Sequence, residues 1–176
     1  MSPDEITERF AGTSTTATFQ ALLGCDIDTA STLARSKWDI LLPRFREARQ
    51  LADLYRIFMA LRALDVRIAI GTASPQVWAL DIIRHHRLSG FFGPHDIVGG
   101  DMVSRGKPAP DIWQRAAADV DPASCLVVED GIAGVEAARA AGMPACLLTP
   151  RGHDYASPIS ELADILAIMS GETFSR

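Results

Sequence analysis

The chain has 176 residues, of which 48% are apolar and 22% are charged, and its formal net charge is −5. This size and composition predict one globular domain, or a domain with a small appendage, that buries a real core. The acidic balance and the lack of any Lys/Arg-rich run argue against nucleic acid as a partner. No apolar stretch has the length of a signal peptide or a membrane span, and the three cysteines are scattered. We therefore expect a cytoplasmic protein that does not enter a membrane.

The first fifty residues are predicted to contain only helices and turns. Residues 2–5 read Ser-Pro-Asp-Glu, the pattern of a capping box that opens a helix. A second helix is expected to end at Gly24. Apolar residues then recur at helical spacing over 29–49, where Pro43 is a candidate break, and a further amphipathic helix is predicted over 51–64.

From residue 66 onwards the pattern alternates between strands and helices. Strands are predicted at 66–70, 96–98, 126–128 and 145–148. A helix is predicted with Ser74 as its cap and Pro75 at its first position, and further helices are predicted to start at Asp111, after Gly131 and at Ser157-Pro158. Repeated β-α units predict an α/β fold with a parallel sheet and helices on both faces. We place the domain boundary near residue 49, with a helical part at 1–49 and an α/β part at 50–176.

Two of the predicted strand ends offer groups that suit a phosphate. Thr72 follows the first strand and precedes a helix, so its hydroxyl and the amides of Ala73 and Ser74 are placed to bind an oxyanion. Lys107 lies in a loop stiffened by prolines and supplies a positive charge. Each residue also has a plain explanation, since Thr72 can cap the helix and Lys107 can be a solvated turn residue. Together they predict a phosphate-binding site.

The most informative stretch is the buried strand that ends at Glu129 and Asp130. An apolar run, Leu126 to Val128, meets these two carboxylates before the chain turns at Gly131. Ligands of open α/β sheets bind at the carboxyl ends of the strands, and carboxylates there suit a hard cation such as Mg²⁺. An acidic surface turn is the simpler alternative. The metal interpretation predicts a phosphoryl group held between a lysine, a hydroxyl and a cation.

These residues belong to an ordered set of motifs that resembles the haloacid dehalogenase superfamily. The motifs are Gly71–Ser74, Gly99–Asp101, Gly106–Asp111, Val127–Ala138 and Ala141–Met143. The set is most similar to the branch that contains phosphoglycolate phosphatase and β-phosphoglucomutase. The resemblance covers essentially the whole chain, because the helical first part resembles the inserted helical cap of that branch.

The resemblance implies a Mg²⁺-dependent phosphatase, or a phosphomutase, that acts on a small phosphorylated metabolite. It also implies a role for each candidate residue. Thr72 matches the family's catalytic hydroxyl that contacts the phosphoryl group, and Lys107 matches its catalytic, phosphate-neutralising lysine. Glu129 and Asp130 match the acidic pair that helps to hold Mg²⁺.

One family motif is absent from these 176 residues. In the family, an N-terminal strand ends in Asp-x-Asp-Gly-Thr, where the first Asp is the nucleophile and the second is the general acid and base. The similar stretch from Asp26 to Thr29 lacks the Gly and follows a predicted helix, so we interpret it as part of a cap loop. We therefore expect the first, central strand to be missing, the Mg²⁺ affinity to be reduced and the chain to be inactive alone. We also expect open strand edges through which copies of the chain self-associate.

Two other functions stay open from the sequence. The chain could be a non-catalytic relative that keeps the phosphate pocket as a binding or interaction module. A nucleotide-binding module would rest on Gly131 and Gly134 alone, without the full glycine fingerprint. The upstream coding sequence separates the enzyme from the binding module, because only the enzyme requires an Asp-x-Asp-Gly-Thr segment there.

Overall fold

The computed structural model of the protein describes residues 2–10, 13–47, 54–93, 95–148 and 158–159. The helices in these ranges are α1 (Pro3–Phe10), α2 (Thr15–Leu23), α3 (Ile27–Glu47), α4 (Leu54–Ala63), α5 (Gln76–His85), α6 (Asp111–Ala117) and α7 (Ile132–Ala140). The strands are β1 (Ile70–Gly71), β2 (Ile97–Val98), β3 (Val127–Glu129), β4 (Ala145–Leu148) and β5 (Pro158–Ile159). A helical first part is followed by alternating strands and helices, which confirms the predicted α/β class.

The strands of the described ranges form two parallel sheets. One contains β1 and β2, with Ile70 opposite Ile97. The other has the order β3-β4-β5, with Val127 opposite Ala145. Parallel neighbours need crossover connections, which α5 provides between β1 and β2 and α7 provides between β3 and β4. The carboxyl ends of the strands within each sheet therefore lie along one edge.

Two of the predicted elements are wrong in the structure. The first strand begins at Ile70 rather than residue 66, because its partner β2 is only two residues long and leaves the preceding segment outside the ladder. The final helix predicted to open at Ser157-Pro158 is replaced there by β5, which pairs with Leu147 and Leu148. Proline has no amide hydrogen, so it is tolerated in this outer strand of the sheet. The remainder of that predicted helix, and Ser157 itself, lie outside the described residues.

The helical first part follows the predicted local signals, with one exception. The amide of Ser2 donates to Glu5 Oε2 at 2.6 Å and the amide of Glu5 donates to Ser2 Oγ at 3.2 Å, which confirms the capping box. Gly24 ends α2 with a φ of 62°. Pro43, however, lies inside α3 rather than ending it. On either side of Pro43, the rings of Trp38 and Phe45 pack against each other with their centroids 5.5 Å apart.

Helix α3 packs on α5, so the predicted helical part contacts the α/β part. The rings of Trp38 and Trp78 lie with centroids 4.7 Å apart, and Arg46 forms an ion pair with Asp81 at 2.8 Å. The predicted boundary at residues 49 and 50 lies outside the described residues and stays a prediction.

The main core joins β2, β3, α6 and α7. Its buried residues are Val98, Ile112, Trp113, Ala116, Val127, Ala137, Ala138, Ala141 and Met143. The small residues on α7 allow this helix to pack closely on the sheet, which fixes the start of α7 against the end of β3. Within the part of the chain that the structure describes, no helix is long and apolar enough to cross a bilayer.

Candidate phosphate and metal site

The turn after β1 is closed by the hydroxyl of Thr72. The amide of Thr72 donates to the Val98 carbonyl at 2.9 Å, which continues the β1-β2 ladder. Its Oγ1 accepts a hydrogen bond from the amide of Ser74 at 3.2 Å. This local bond between a threonine hydroxyl and an amide two residues later is typical of a tight polar turn. The predicted roles of Thr72, Ala73 and Ser74 in binding phosphate stay predictions.

The amino end of α5 is capped from another loop, so the prediction that Ser74 caps this helix is wrong. Pro75 occupies the N-cap position and Gln76 is the first helical residue. The amide of Gln76 donates to Asp101 Oδ1 at 2.8 Å, and the amide of Gly100 donates to the Ser74 carbonyl at 2.9 Å. The carboxylate of Asp101 thereby caps the amino end of α5 and complements the helix dipole. Sequence reasoning missed this role because capping across loops leaves no local spacing signal.

Lys107 joins the carboxyl ends of β1 and β3. Lys107 is 7% exposed, so the simpler interpretation of it as a solvated turn residue is wrong. The ammonium donates to Glu129 Oε1 and, at 3.2 Å, to the carbonyl of Gly71. The structure therefore brings Lys107 together with Glu129 and places it beside the residue that precedes Thr72.

Trp113, on α6, forms one wall of this site. Its ring lies with the centroid 4.6 Å from Lys107 Nζ, a cation–π arrangement, and packs directly on Gly71. Its Nε1 donates to the carbonyl of Gly134 at 3.0 Å. Sequence reasoning missed this contact, since nothing in the spacing of α6 relates the Trp113 ring to a lysine in the preceding loop.

Glu129 is buried and its two oxygens both have partners. It is 6% exposed; Oε1 contacts Lys107, and Oε2 accepts hydrogen bonds from the amides of Asp130 at 3.0 Å and Gly131 at 3.2 Å. Burial raises the pKa of the Glu129 carboxyl, and the Lys107 ammonium opposes that shift. A Cβ on Gly134 would overlap the carboxylate, so the glycine leaves the space that Glu129 occupies. Asp130, in contrast, is exposed.

The chemistry of Glu129 and Asp130 fits a hard cation, although incompletely. Their oxygens are the ligand type of Mg²⁺, which proteins commonly bind through one or two carboxylates together with phosphate oxygens of a substrate. Within the described ranges, no group of three or more His, Cys, Asp or Glu side chains is arranged to hold a metal. A cation would also have to replace Lys107 at Glu129. The predicted metal site is therefore chemically compatible with the structure but would need further ligands.

Asp26 has a structural role in the helical part. Its Oδ1 accepts a hydrogen bond from the amide of Thr29 at 2.7 Å at the start of α3. This bond lowers the pKa of the Asp26 carboxyl. Asp26 therefore caps the amino end of α3, in the loop between α2 and α3.

Comparisons with known proteins agree on one family. The family model described as haloacid dehalogenase-like hydrolase matches residues 9–142. The β-phosphoglucomutase of Bacillus subtilis is 32% identical over 108 residues, which cover 60% of this chain and 46% of the relative. The plasmid phosphoglycolate phosphatase of Cupriavidus necator is 36% identical over 101 residues, covering 56% of this chain and 42% of the relative. The chain thus matches less than half the length of these curated relatives.

Solved structures show the same fold. A hydrolase of this type from Entamoeba histolytica superposes with a TM-score of 0.74 at 24% identity, covering 87% of this chain and 71% of that one. A hydrolase from Pseudomonas syringae superposes with a TM-score of 0.76 at 20% identity, covering 97% and 84%. At these identities the likeness supports the fold and not a particular substrate.

Proposed function

Because the chain belongs to the haloacid dehalogenase-like hydrolase family, in the branch of phosphoglycolate phosphatase and β-phosphoglucomutase, we propose that it functions in a Mg²⁺-dependent phosphatase. The substrate class is a small phosphorylated metabolite. The observation that carries the proposal is the position of Lys107, whose ammonium links the end of β1, next to Thr72, with Glu129 at the end of β3.

We assign each predicted site residue a role in binding the phosphoryl group or the cation. Lys107 neutralises the phosphoryl oxygens from a buried position, where the lower dielectric constant strengthens its charge interactions. The hydroxyl of Thr72 orients the phosphoryl group and the amide of Ala73 adds a donor, whereas the amide of Ser74 becomes a donor only when its bond to Thr72 Oγ1 opens. Glu129 and Asp130 hold Mg²⁺, which supplies positive charge to the phosphoryl oxygens.

A nucleophile is needed to complete the chemistry. Among the described residues, Glu129 is the only carboxylate in contact with Lys107, and both of its oxygens already accept hydrogen bonds. The Asp-x-Asp-Gly-Thr motif does not occur in the 176 residues. β1 and β3 belong to separate sheets, and we propose that a further strand between them carries such a carboxylate to Lys107. We infer that turnover requires this segment and that the 176 residues alone are inactive.

The test compares two lengths of the protein. A chain extended by the residues encoded upstream is assayed beside the 176-residue chain, with p-nitrophenyl phosphate and a panel of sugar phosphates, with and without Mg²⁺. The extended chain is expected to hydrolyse at least one ester, and the activity should disappear with EDTA or with Lys107→Met. Asp26→Asn is the matched carboxylate control, because it alters a helix cap and should leave turnover unchanged.

Three results would contradict this account. If the 176-residue chain showed turnover and Asp26→Ala abolished it, the nucleophile would lie in the helical part. An extended chain without Mg²⁺-dependent turnover would exclude the phosphatase. If that inactive chain still bound phosphate through Lys107, it would instead be a non-catalytic binding module.

A further inference from the structure

We propose that Lys37, on α3, is a site of covalent modification by small acyl phosphates. The side-chain amine attacks the acyl carbon, a nitrogen–carbon bond forms, and the bond between that carbon and the phosphate oxygen breaks. Inorganic phosphate leaves with the electron pair and the nitrogen releases a proton to the solvent, so the lysine becomes an amide. This reaction is separate from the proposed phosphatase activity and uses none of the residues of the phosphate and metal site.

The amine of Lys37 lies where α3 packs on α2. The residue is half-buried, and its Nζ donates at 3.1 Å to Oγ1 of Thr15, the first residue of α2. Nζ also lies 5.3 Å from the centroid of the Trp38 ring, which attracts a cation but carries no net charge. Both contacts are therefore with uncharged groups.

The surrounding helices provide no counter-charge for this amine. Helix α2 contains no charged residue. The side chains three and four positions away are the neighbours of Lys37 on its own helix, and all of them are apolar: Leu33, Ala34, Ile40 and Leu41. Across the interface with α5, Asp81 is paired with Arg46, nine residues and so about 14 Å further along α3. In the described part of the chain, Lys37 forms no ion pair.

These surroundings favour the neutral amine over the ammonium. Burial without a counter-charge lowers the pKa of Lys37. The positive end of the α2 dipole, beside Thr15, acts in the same direction. The neutral amine is the nucleophilic form of lysine, so a larger share of Lys37 is reactive at neutral pH than of an exposed lysine. The amide product carries no charge and keeps one N–H for Thr15, so it suits the same surroundings.

The sequence concentrates this chemistry on one side chain. Lys37 and Lys107 are the only lysines among the 176 residues. Lys107 is 7% exposed and its ammonium is paired with Glu129, so it is neither neutral nor open to a reagent. Lys37 is therefore the side-chain amine that an acyl phosphate reaches in its reactive form.

The test treats the 176-residue chain with acetyl phosphate and follows each lysine peptide by mass spectrometry, which also separates Lys37 from the terminal amine. Arg35→Lys supplies the internal reference, because residue 35 is exposed on the same helix and the substitution keeps the net charge. Lys37 is expected to react at least about threefold faster at neutral pH than the lysine introduced at 35. The rate at Lys37 should also level off at a lower pH.

A pair of variants tests the cause of this reactivity. Thr15→Asp places a carboxylate where the hydroxyl contacts Lys37, at a helix start that tolerates negative charge, and should slow the acetylation of Lys37 severalfold. Thr15→Asn, of the same size but uncharged, should not. Circular dichroism checks that both variants keep their helices.

Two results would overturn the proposal. The first is a rate and pH profile at Lys37 equal to those of the lysine introduced at residue 35, or a slower reaction at Lys37. The second is equal acetylation of Lys37 in Thr15→Asp and Thr15→Asn, which would show that the missing counter-charge does not activate the amine.

Discussion

Replacing Gly134 by alanine perturbs the candidate site without removing any of its charged groups. Gly134 lies in the first turn of α7, and an added Cβ would overlap the carboxylate carbon and both oxygens of Glu129. The overlap is relieved when the carboxylate end of the Glu129 side chain shifts away from α7. The carboxylate would have to move, and its contact with Lys107 would be weakened or lost.

The expected magnitude follows from two opposing effects. Alanine in place of glycine inside a helix ordinarily stabilises by about 1 kcal/mol. Loss of a partner from a buried ion pair destabilises by about 3–5 kcal/mol, and both residues of this pair are less than a tenth exposed. The difference predicts that Gly134→Ala lowers the free energy of unfolding by about 2–4 kcal/mol.

Urea denaturation followed by far-ultraviolet circular dichroism measures this change at neutral pH. The same substitution is repeated in a Glu129→Ala background, where the overlap no longer exists and Gly134→Ala should stabilise. Gly90→Ala is a control, since no atom lies within 4 Å of a Cβ added there. If Gly134→Ala stabilises the otherwise wild-type chain by the ordinary helical amount, the Glu129 carboxylate does not lie against α7 and the geometry of the site is wrong.

Three further substitutions test other contacts by the same denaturation assay. Trp113→Phe keeps a ring on Gly71 but loses the 3.0 Å bond to the Gly134 carbonyl, and should destabilise by about 1 kcal/mol; no change would contradict that bond. Ala118→Gly should stabilise by about 1 kcal/mol, because residue 118 has a φ of 55° that glycine adopts without strain; destabilisation would refute that backbone. The hydrogen bond from Arg46 lowers the pKa of Asp81, so this pair stabilises the fold above the ordinary carboxyl pKa of 3.8 and that contribution disappears as the pH falls through the lowered value. Asp81→Asn should lose this part of the pH dependence, and an unchanged acid profile would exclude the pair.

The parallel arrangement, and the placement of Lys107 and Glu129 after predicted strands, follow from patterns that the sequence contains. Alternating strands and helices require parallel strands, and residues at the carboxyl ends of such strands converge on one edge. The capping box at Ser2 and Glu5 is similarly local, since both hydrogen bonds join residues three apart. Local signals of this kind do not depend on which distant segment packs against them.

The features that the sequence did not predict depend on distant partners. Pro158 has the local signature of a helix start, but pairing with Leu147 places it in a strand. The carboxylate of Asp101 caps α5 only because the loop after β2 lies against the turn after β1. The direct pairing of Lys107 with Glu129 was also missed, because a lysine expected to bind phosphate and a carboxylate expected to bind a metal were assigned to separate ligands.

The most direct test of the account is a crystal structure of the extended chain with Mg²⁺ and phosphate. The account predicts the anion between Thr72 Oγ1 and Lys107 Nζ, with the cation beside Glu129 and Asp130. Phosphate bound elsewhere would contradict the claim that these four residues form one site.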